Sequence, residues 1–375
     1  MQKKTRVGLL FGGRSGEHEV SIASALSVYN ALDKTRYEVT LIGIDKAGRW
    51  LLPDANLLLS QLNDSMSAKK IAASQDSFAL VPYPNQKQMV AVNSSGALIS
   101  NVDVIIPILH GTYGEDGTVQ GLLELASIPY VGSGVLGSAL GMDKEVSRKL
   151  LQVAGIQTVP TLTVRHRDYA RDGKMVESRI KKEFQYPFFV KPANAGSSVG
   201  VHKVKSVEQL SPALKDAFQF DTKVLIEMGV DARELEVAVL GNDDPKCSVV
   251  GEIIPHHDFY SYEAKYLDEN GSSFAIPAEN LSPAVSKQIQ EWAALAFQTL
   301  QCRGMSRVDF FLDRKTGQLF LNEINTIPGF TKISMYPKMW EASGLSYAAL
   351  LDELIRLAFE NFQERKDLKT TYDPR

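Results

Sequence analysis

The stretch RVDFFLD at 307–313, followed by LFLNEIN at 319–325, carries the clearest structural pattern in the sequence. Both runs are rich in β-branched and aromatic residues, and they flank a short polar connection that ends in Gly317. Such a pattern is typical of two antiparallel strands joined by a short loop. We therefore predict a β-hairpin over 307–325.

The charged side chains of this hairpin fall on shared strand faces. Residues two apart on a strand point the same way, so Arg307 accompanies Asp309 and Glu323 accompanies Asn325. If the two faces coincide, two carboxylates and an amide oxygen meet, which is the type of ligand set that Mg²⁺ prefers. The strand register decides this, and the alternative is an ordinary solvated face.

Length and composition limit the possible classes of protein. At 375 residues the chain is long enough for two or three domains. A hydrophobic content of 44% is that of an ordinary soluble globular protein. A net charge of −3 with mixed signs gives no case for nucleic acid or a membrane surface as the main partner. Cys247 and Cys302 form no disulfide or metal pattern, so reduced thiols are expected. The apolar run at 7–11 is too short for a signal peptide, which predicts a cytoplasmic protein.

A glycine-rich loop follows the first predicted strand. The run VGLLF at 7–11 predicts a buried parallel strand, GGRSGEHE at 12–19 a tight loop, and the pattern over 20–32 a helix. This arrangement is a natural anion site, although the acidic loop also suits a ligand ammonium. It lacks the G-x-G-x-x-G dinucleotide fingerprint. Glu17 either binds a ligand or stabilises the helix N-terminus.

Two further candidate residues lie in the first half of the chain. A strand predicted at 104–109 ends at His110, where open α/β sheets bind ligands, although a structural histidine is the alternative. A helix predicted over 143–154 begins beside Lys144. A cation is unfavourable there without a nearby anion, so Lys144 either binds a phosphate or is simply solvated.

The middle of the chain contains a second loop of small residues. FFV at 188–190 predicts a strand that ends in Lys191, and ANAGSSVG at 193–200 could fold its N–H groups and hydroxyls over phosphates. The lysine precedes the glycines, so this is not a Walker A loop, and a plain hairpin is the alternative. Residues 228–230 could supply a backbone edge for adenine. The long aromatic segment 255–277 is predicted to be a lid.

The order of these motifs resembles that of the D-alanine:D-alanine ligases of the ATP-grasp superfamily, over about 7–357. The motifs are the glycine loop with Glu17, HG at 110–111, MDK at 142–144, VKP at 190–192, GSSVG at 196–200, YEAKY at 262–266, RVD at 307–309 and NEINT at 322–326. The most specific are EINTIPG at 323–329 together with RVD, and the YEAKY lid.

The resemblance implies an α/β chain with the ATP-grasp fold. An N-terminal parallel-sheet (Rossmann-like) substrate domain would span 1–125, a central subdomain 126–220, and a C-terminal domain 221–375, with ATP between the last two. The family uses ATP to phosphorylate one D-alanine, and the amine of a second attacks this acyl phosphate, for peptidoglycan precursor synthesis. Two Mg²⁺ (or Mn²⁺) ions would offset the repulsion between the two anions.

The resemblance also implies roles for individual residues. Glu17 would hold the first ammonium, and Arg307 would stabilise the tetrahedral intermediate. The substrate-binding and catalytic set would be Glu17, His110, Ser197, Tyr266, Arg307, Ser334 and Met335. ATP would meet Lys144, Lys191, Ser197, Ser198, Glu227, Met228, Val230, Glu234, Lys265, Asn322 and Glu323. The metal ligands would be Asp309, Glu323 and Asn325. Relatives often have lysine at the position of Met228, so only backbone contacts are expected there.

Other functions stay open from the sequence. D-alanine:D-lactate and D-alanine:D-serine ligases belong to the same superfamily, but the D-lactate enzymes carry a different lid, so Tyr266 favours an amine nucleophile. A nicotinamide-dependent oxidoreductase would need an acidic residue after the second strand, which Asp45 could be, yet its fingerprint is missing. A non-catalytic nucleotide-binding protein is disfavoured by the hairpin ligand set. The partners expected are D-alanine, ATP and a second copy of the chain.

Overall fold

Four sheets organise the residues that the structure describes. The computed structural model describes residues 3–53, 78–80, 88–91, 98–256, 271–331, 333–369 and 372. The strands are β1 (Thr5–Gly12), β2 (Tyr37–Ile44), β3 (Trp50–Leu51), β4 (Phe78–Leu80), β5 (Gln88–Ala91), β6 (Leu98–Asn101), β7 (Val104–Ile108), β8 (Thr161–Arg165), β9 (Phe188–Pro192), β10 (His202–Val204), β11 (Lys223–Met228), β12 (Ala232–Gly241), β13 (Lys246–Pro255), β14 (Ser272–Ala275), β15 (Gly304–Asp313) and β16 (Leu319–Asn325). The helices are α1 (His18–Ala31), α2 (Thr118–Leu125), α3 (Val135–Met142), α4 (Lys144–Val153), α5 (His166–Arg171), α6 (Gly173–Glu183), α7 (Val207–Ala217), α8 (Pro283–Thr299), α9 (Met335–Ala342) and α10 (Tyr347–Lys366).

The N-terminal sheet has the order β3-β2-β1-β7, with β1 parallel to both β2 and β7. The apolar run of β1 suits this place, because a central parallel strand is covered on both faces. Leu9 packs in the core cluster that contains Ile22 of α1, whereas Leu10 packs in the cluster that contains Leu123 of α2. The predicted strand at 7–11 is confirmed, and β1 carries the glycine loop at its carboxyl end.

The strands β4, β5 and β6 form a separate antiparallel sheet between β3 and β7 in the sequence. The central sheet has the order β10-β9-β11-β8, and its neighbouring strands are antiparallel. Helices α6 and α7 contribute to its core through Ile180 and Leu214, which pack with Val190 of β9. The strand predicted at 188–190 is confirmed as part of β9. The sequence pattern did not reveal β8, α5 or α6.

The C-terminal sheet has the order β14-β13-β12-β15-β16 and is antiparallel throughout. It separates two apolar layers. Val237 and Val308 face the core with Phe297 of α8, whereas Ala238 belongs to the cluster with Tyr336 of α9. The alternation of apolar and charged residues along β15 follows from these two environments. The hairpin predicted over 307–325 is confirmed.

The segment predicted to be a lid lies partly outside the described residues, which include neither Lys265 nor Tyr266. Strand β14 pairs with the end of β13 at the far edge of the C-terminal sheet. Strand β11 begins just beyond residue 220 and belongs to the central sheet. The division at 125 and 220 stays a prediction. None of the described helices has the length and apolarity that crossing a membrane requires.

Candidate active site

The charged face of the β15–β16 hairpin forms the base of the candidate site. Arg307 pairs across the strands with Asn325, and Asp309 pairs with Glu323, so the two predicted faces coincide. Arg307 donates through Nε to Asp309 Oδ1 and through Nη2 to Asp309 Oδ2, both at 2.7 Å. Asn325 Nδ2 donates to Asp309 Oδ2 at 3.0 Å. We call these four residues the hairpin face.

Neighbouring carboxylates fix the charge of Arg307. Burial alone would lower the pKa of its guanidinium, but Asp309 and Glu236 raise it well above the ordinary value. Glu236 Oε1 lies 3.2 Å from Arg307 Nε. Arg307 is therefore a permanent cation held in a defined orientation, which suits a group that stabilises developing negative charge.

The oxygens of the hairpin face suit a hard divalent cation. Asp309, Glu323 and Asn325 offer two carboxylates and an amide, and Mg²⁺ usually combines such a set with substrate phosphates. Among the described residues, no group of three His, Cys, Asp or Glu side chains could hold a metal ion by itself. The residues present therefore fit an ion that is shared with a phosphorylated ligand better than one enclosed by the protein.

Lys144 connects the hairpin face to the loop of small residues. Asp143 caps helix α4 by accepting from the backbone N–H groups of Glu145 and Val146 at 3.1 and 3.2 Å. This cap fixes Lys144 at the first helical position. Its Nζ lies 3.3 Å from Glu323 Oε2 and donates to the carbonyl oxygen of Ala195 at 2.9 Å. The solvated alternative is therefore wrong, because Lys144 is buried and paired.

Lys191 belongs to a buried charge cluster on the central sheet. Its Nζ lies 2.7 Å from Glu227 Oε1, and Arg148 Nη1 lies 2.5 Å from the same oxygen. Burial lowers the pKa of Lys191 to about 8. Burial alone would raise the pKa of Glu227, but Arg148 and Lys191 lower it. Arg148 Nη2 also donates to the carbonyl oxygen of Asn322 at 3.3 Å, so the cluster reaches β16.

The loop after β9 has a left-handed backbone. Ser197 and Ser198 have φ values of 48° and 60°, and Gly200 has a φ of 68°. Non-glycine residues rarely adopt this region, so the surrounding contacts must hold the two serines there. The Ser197 hydroxyl donates to Glu17 Oε1. The structure therefore brings together the two glycine-rich loops.

Glu17 lies in a cluster of three loops, which we call the loop cluster: the loop at 12–17, the loop at 110–117 and the loop at 194–200. A Cβ atom added at Gly111 would lie 2.8 Å from Glu17 Oε2, and one added at Gly196 would lie 2.6 Å from it. Only glycine allows this close approach of two loops to one carboxylate. Glu17 is almost fully buried, so stabilisation of the helix N-terminus alone does not account for its position.

His110 and Glu115 tie the loop cluster to the segment that follows β16. The His110 Nδ1 atom lies 3.0 Å from the carbonyl oxygen of Ile327, and burial lowers the pKa of His110. Glu115 accepts from the backbone N–H groups of Gly111 at 2.7 Å and Ile327 at 3.2 Å. Burial, together with the charge of Glu17, raises the pKa of Glu115 to about 8.

The other predicted residues lie around this centre. The Ser334 hydroxyl lies 2.8 Å from Thr331 Oγ1, and Met335 begins α9. Met228 ends β11, and its backbone N–H donates to the carbonyl oxygen of Pro160 at 3.1 Å. That N–H is therefore not available to an adenine ring. Glu234 lies on β12 on the same face as Glu236.

Three site residues were missed from the sequence, namely Glu115, Arg148 and Glu236. Each had a local signal, because Arg148 follows Lys144 by one helical turn and Glu236 follows Glu234 by two strand positions. Glu115 lies in the glycine-rich loop after His110. Together, the site places the cations Lys144, Lys191 and Arg307 around a set of acidic ligands, an arrangement that can bring two anions together.

Comparison with known proteins is consistent with this arrangement. A family model described as "D-ala D-ala ligase N-terminus" matches residues 6–133, and one described as "D-ala D-ala ligase C-terminus" matches residues 150–356. A D-alanine–D-alanine ligase from Shouchella clausii is 48% identical over 98% of this chain and 98% of its own length.

Solved structures agree in fold. A D-alanine-D-alanine ligase from Coxiella burnetii has a TM-score of 0.82 and 39% identity, over 97% of this chain and 96% of its own. The VanG D-Ala:D-Ser ligase from Enterococcus faecalis has a TM-score of 0.80 and 35% identity, over 95% of this chain and all of its own. These relatives confirm the predicted ATP-grasp fold. The chain belongs to the D-alanine:D-alanine ligase family.

Proposed function

We propose that this protein joins two D-alanine molecules into D-alanyl-D-alanine, using ATP and releasing ADP and phosphate. The observation that carries the proposal is the meeting of Lys144, Arg307 and the hairpin carboxylates with the loop cluster around Glu17. Phosphorylating a carboxylate requires two anions to approach each other, and fixed cations lower the cost of that approach.

Glu17 would bind the ammonium group of the first D-alanine. Its carboxylate is buried and oriented by the Ser197 hydroxyl, and the loops at Gly111 and Gly196 approach it closely. His110 would lie next to this substrate as a neutral imidazole, because burial lowers the pKa of His110. The close packing of the loops supports a preference for an amino acid with a small side chain.

ATP would lie between the central and C-terminal sheets. Lys144 and Lys191 would bind its phosphates, and the loop with Ser197 and Ser198 would cover them through backbone N–H groups and hydroxyls. Glu227, Met228 and Val230 would meet adenine, with Glu234 on the ribose and Lys265 arriving from the lid. Met228 would contribute its carbonyl group, since its N–H is bonded to Pro160.

Asp309, Glu323 and Asn325 would hold two Mg²⁺ (or Mn²⁺) ions together with the phosphates of ATP, and Asn322 would lie beside them. When bound, the ions neutralise charge that develops on the transferred phosphoryl group. Arg307 would donate to the oxyanion formed when the second amine attacks the acyl phosphate. Ser334 and the Met335 backbone would receive the carboxylate of the second D-alanine, and Tyr266 would join Ser197 when the lid closes.

The family membership supports a place for this reaction in the synthesis of peptidoglycan precursors, in the cytoplasm. We also propose that the chain forms a homodimer, as its relatives commonly do. A D-alanine:D-serine ligase is the second candidate, because the VanG D-Ala:D-Ser ligase superimposes with a TM-score of 0.80. The two candidates differ only in the second substrate.

The test is product formation by the purified chain with ATP and Mg²⁺. Parallel reactions would contain D-alanine, L-alanine, D-alanine with D-serine, or D-alanine with D-lactate, with products identified by mass. We expect D-alanyl-D-alanine and one phosphate released per dipeptide, with no product from L-alanine. A mixed D-alanyl-D-serine product in excess would favour the second candidate. ATP hydrolysis without any dipeptide would contradict both.

A further inference from the structure

Glu236 lies in the same cross-strand row as two of the proposed metal ligands. Glu236 of β12 pairs with Asp309 of β15, and Asp309 pairs in turn with Glu323 of β16. Directly paired residues of antiparallel strands share one face of the sheet. Three carboxylates therefore lie side by side across three neighbouring strands, and the proposed function uses only two of them.

The Glu236 side chain is buried against Arg307. It is only 5% exposed, and its Oε1 atom lies 3.2 Å from Arg307 Nε. The same Nε donates to Asp309 Oδ1 at 2.7 Å. The Nε atom of the guanidinium therefore faces two carboxylates, one of which is a proposed metal ligand and one of which is not.

The far side of Glu236 is closed by the protein. Its partner on β13 is Gly251, where an added Cβ atom would lie 2.6 Å from Met335 Cε. Helix α9 therefore packs directly over this end of the row. A buried carboxylate is costly unless it is paired, so Glu236 and Arg307 depend on each other.

This dependence becomes important when Asp309 binds a cation. A metal ion and Arg307 both carry positive charge, and they compete for the two oxygens of one carboxylate. Arg307 would either keep Asp309 from the metal or lose its own orientation. A second carboxylate within reach of the same guanidinium nitrogen removes this conflict, because it can hold Arg307 when Asp309 turns away.

We propose that Glu236 is a positioning residue that holds Arg307 while Asp309 turns to the metal ion. The inference rests on the proposed function in one respect, namely the metal site of Asp309, Glu323 and Asn325. Glu236 itself touches neither the metal nor the substrates. It acts through Arg307, and it makes Asp309 available without loss of the fixed guanidinium.

The variant Glu236→Gln keeps the size of the side chain and removes its charge. Arg307 should then bind Asp309 more tightly, and the Mg²⁺ concentration at half-saturation should rise about 10-fold, the usual effect of losing a group that orients a metal ligand. The measurement is a Mg²⁺ titration of the full chain at fixed ADP, followed by the rise in melting temperature. An unchanged midpoint would overturn the positioning role.

Glu252→Gln is the matched control. Glu252 is also a buried glutamate on this sheet, with Oε2 2.6 Å from Arg233 Nη2. It pairs with Leu235, whose side chain faces the α8 layer, so it lies on the opposite face from Glu236. Its substitution should leave the Mg²⁺ midpoint unchanged. An equal shift in both variants would show a general loss of charge or stability and would overturn the proposal.

Two further variants separate contact from charge. Glu236→Asp keeps the charge but withdraws it from Arg307 Nε, so it should also raise the midpoint, by a smaller factor. In an Arg307→Met background, Glu236→Gln should change the midpoint less than about twofold, because the residue through which Glu236 acts is gone. Equal effects of Glu236→Gln in both backgrounds would contradict a role exerted through Arg307.

The melting temperature of the wild-type chain separates a failure of the metal site from a failure of the positioning role. If ADP and Mg²⁺ together do not raise its melting temperature, the metal site of the proposed function fails, and this inference fails with it. If they do and the Glu236→Gln midpoint matches the wild type, only the positioning role is overturned.

Discussion

The hairpin face and the loop cluster hold their charged groups in different ways. On the hairpin face, strand register places Asp309 opposite Glu323, and the side chains then pair with one another. In the loop cluster, Glu17 is held by loops that approach it closely and that allow only glycine at Gly111 and Gly196. The first region should therefore be sensitive to side-chain chemistry, and the second to backbone bulk.

The largest effect is expected from Arg307→Met on the hairpin face. Loss of an oriented donor to developing charge should lower kcat by about 100-fold to 1000-fold. The measurement is the initial rate of dipeptide formation with saturating substrates. Arg307→Lys should retain little of the wild-type kcat, because lysine cannot donate in the same paired geometry.

Arg303→Met is the control for the loss of an arginine nearby on the chain. Arg303 pairs with Asp243, away from the hairpin face, so its loss should leave kcat close to that of the wild type. A loss smaller than fivefold in Arg307→Met would contradict the role given to the hairpin face.

The second largest effect is expected in the loop cluster, from the addition of a single methyl group. In Gly196→Ala, the added Cβ would lie 2.6 Å from Glu17 Oε2, so Glu17 must move. A displacement of this kind can reduce kcat/KM for D-alanine by as much as about 100-fold. Steady-state kinetics with varied D-alanine measure the change.

Gly16→Ala provides the comparison within the same cluster. Its added Cβ would meet Val199 Cγ2 at 3.7 Å, an ordinary contact, and kcat/KM should stay within a few-fold of the wild type. Similar losses in both variants would mean that bulk beside Glu17 is not the cause.

A smaller effect is expected on the central sheet, where the affinity for ATP should depend on pH. Burial lowers the pKa of Lys191 to about 8, so its ammonium is charged below this pH and neutral above it. A neutral Lys191 cannot attract a phosphate. The Kd for ATP should therefore rise between pH 7 and pH 9, by at most about tenfold per pH unit.

Isothermal titration calorimetry with ATP measures this Kd. D-alanine is left out because protonation of its amine would add a second pH dependence. In Lys191→Arg, the guanidinium stays charged over this pH range, so the pH dependence of the Kd for ATP should disappear. A Kd that is constant from pH 7 to pH 9 in the wild type would show that Lys191 does not bind ATP as a titrating cation.

The smallest effect belongs to the scaffold under the hairpin face. Ser282 caps α8 by accepting from the backbone N–H of Val285 at 3.3 Å. Ser282→Ala should lower the free energy of unfolding by about 1 kcal/mol and leave KM unchanged. Urea denaturation measures the difference. Ser286→Ala, inside the same helix, should be nearly neutral, and a change in KM in Ser282→Ala would contradict a purely structural cap.

The sequence predicted those features that depend on local periodicity. The alternation along β15 and β16 predicted the hairpin and its charged face, and the apolar run of β1 predicted a central parallel strand. The glycine loops were recognisable from composition. The hydrogen bond between Glu17 and Ser197 has no local signal, because these residues are far apart in the chain, and only the family resemblance placed both in one site.

The features that were missed depend on long-range pairing. Glu236 reaches the site because the register of β12 against β15 places it opposite Asp309. Arg148 reaches the site because α4 approaches β11, which carries Glu227. The spacing of Arg148 from Lys144 and of Glu236 from Glu234 indicates a shared face, but charges on a solvated surface show the same spacing. The β8, α5 and α6 region was missed as well, since α5 buries no residue and shows no apolar periodicity.

The most direct test of the whole site is a crystal structure of the chain with ADP, Mg²⁺ and D-alanine. We expect metal density in contact with the oxygens of Asp309, Glu323 and Asn325, and the D-alanine amino group against Glu17. Metal bound by other side chains, or an amino acid bound away from the loop cluster, would contradict the account.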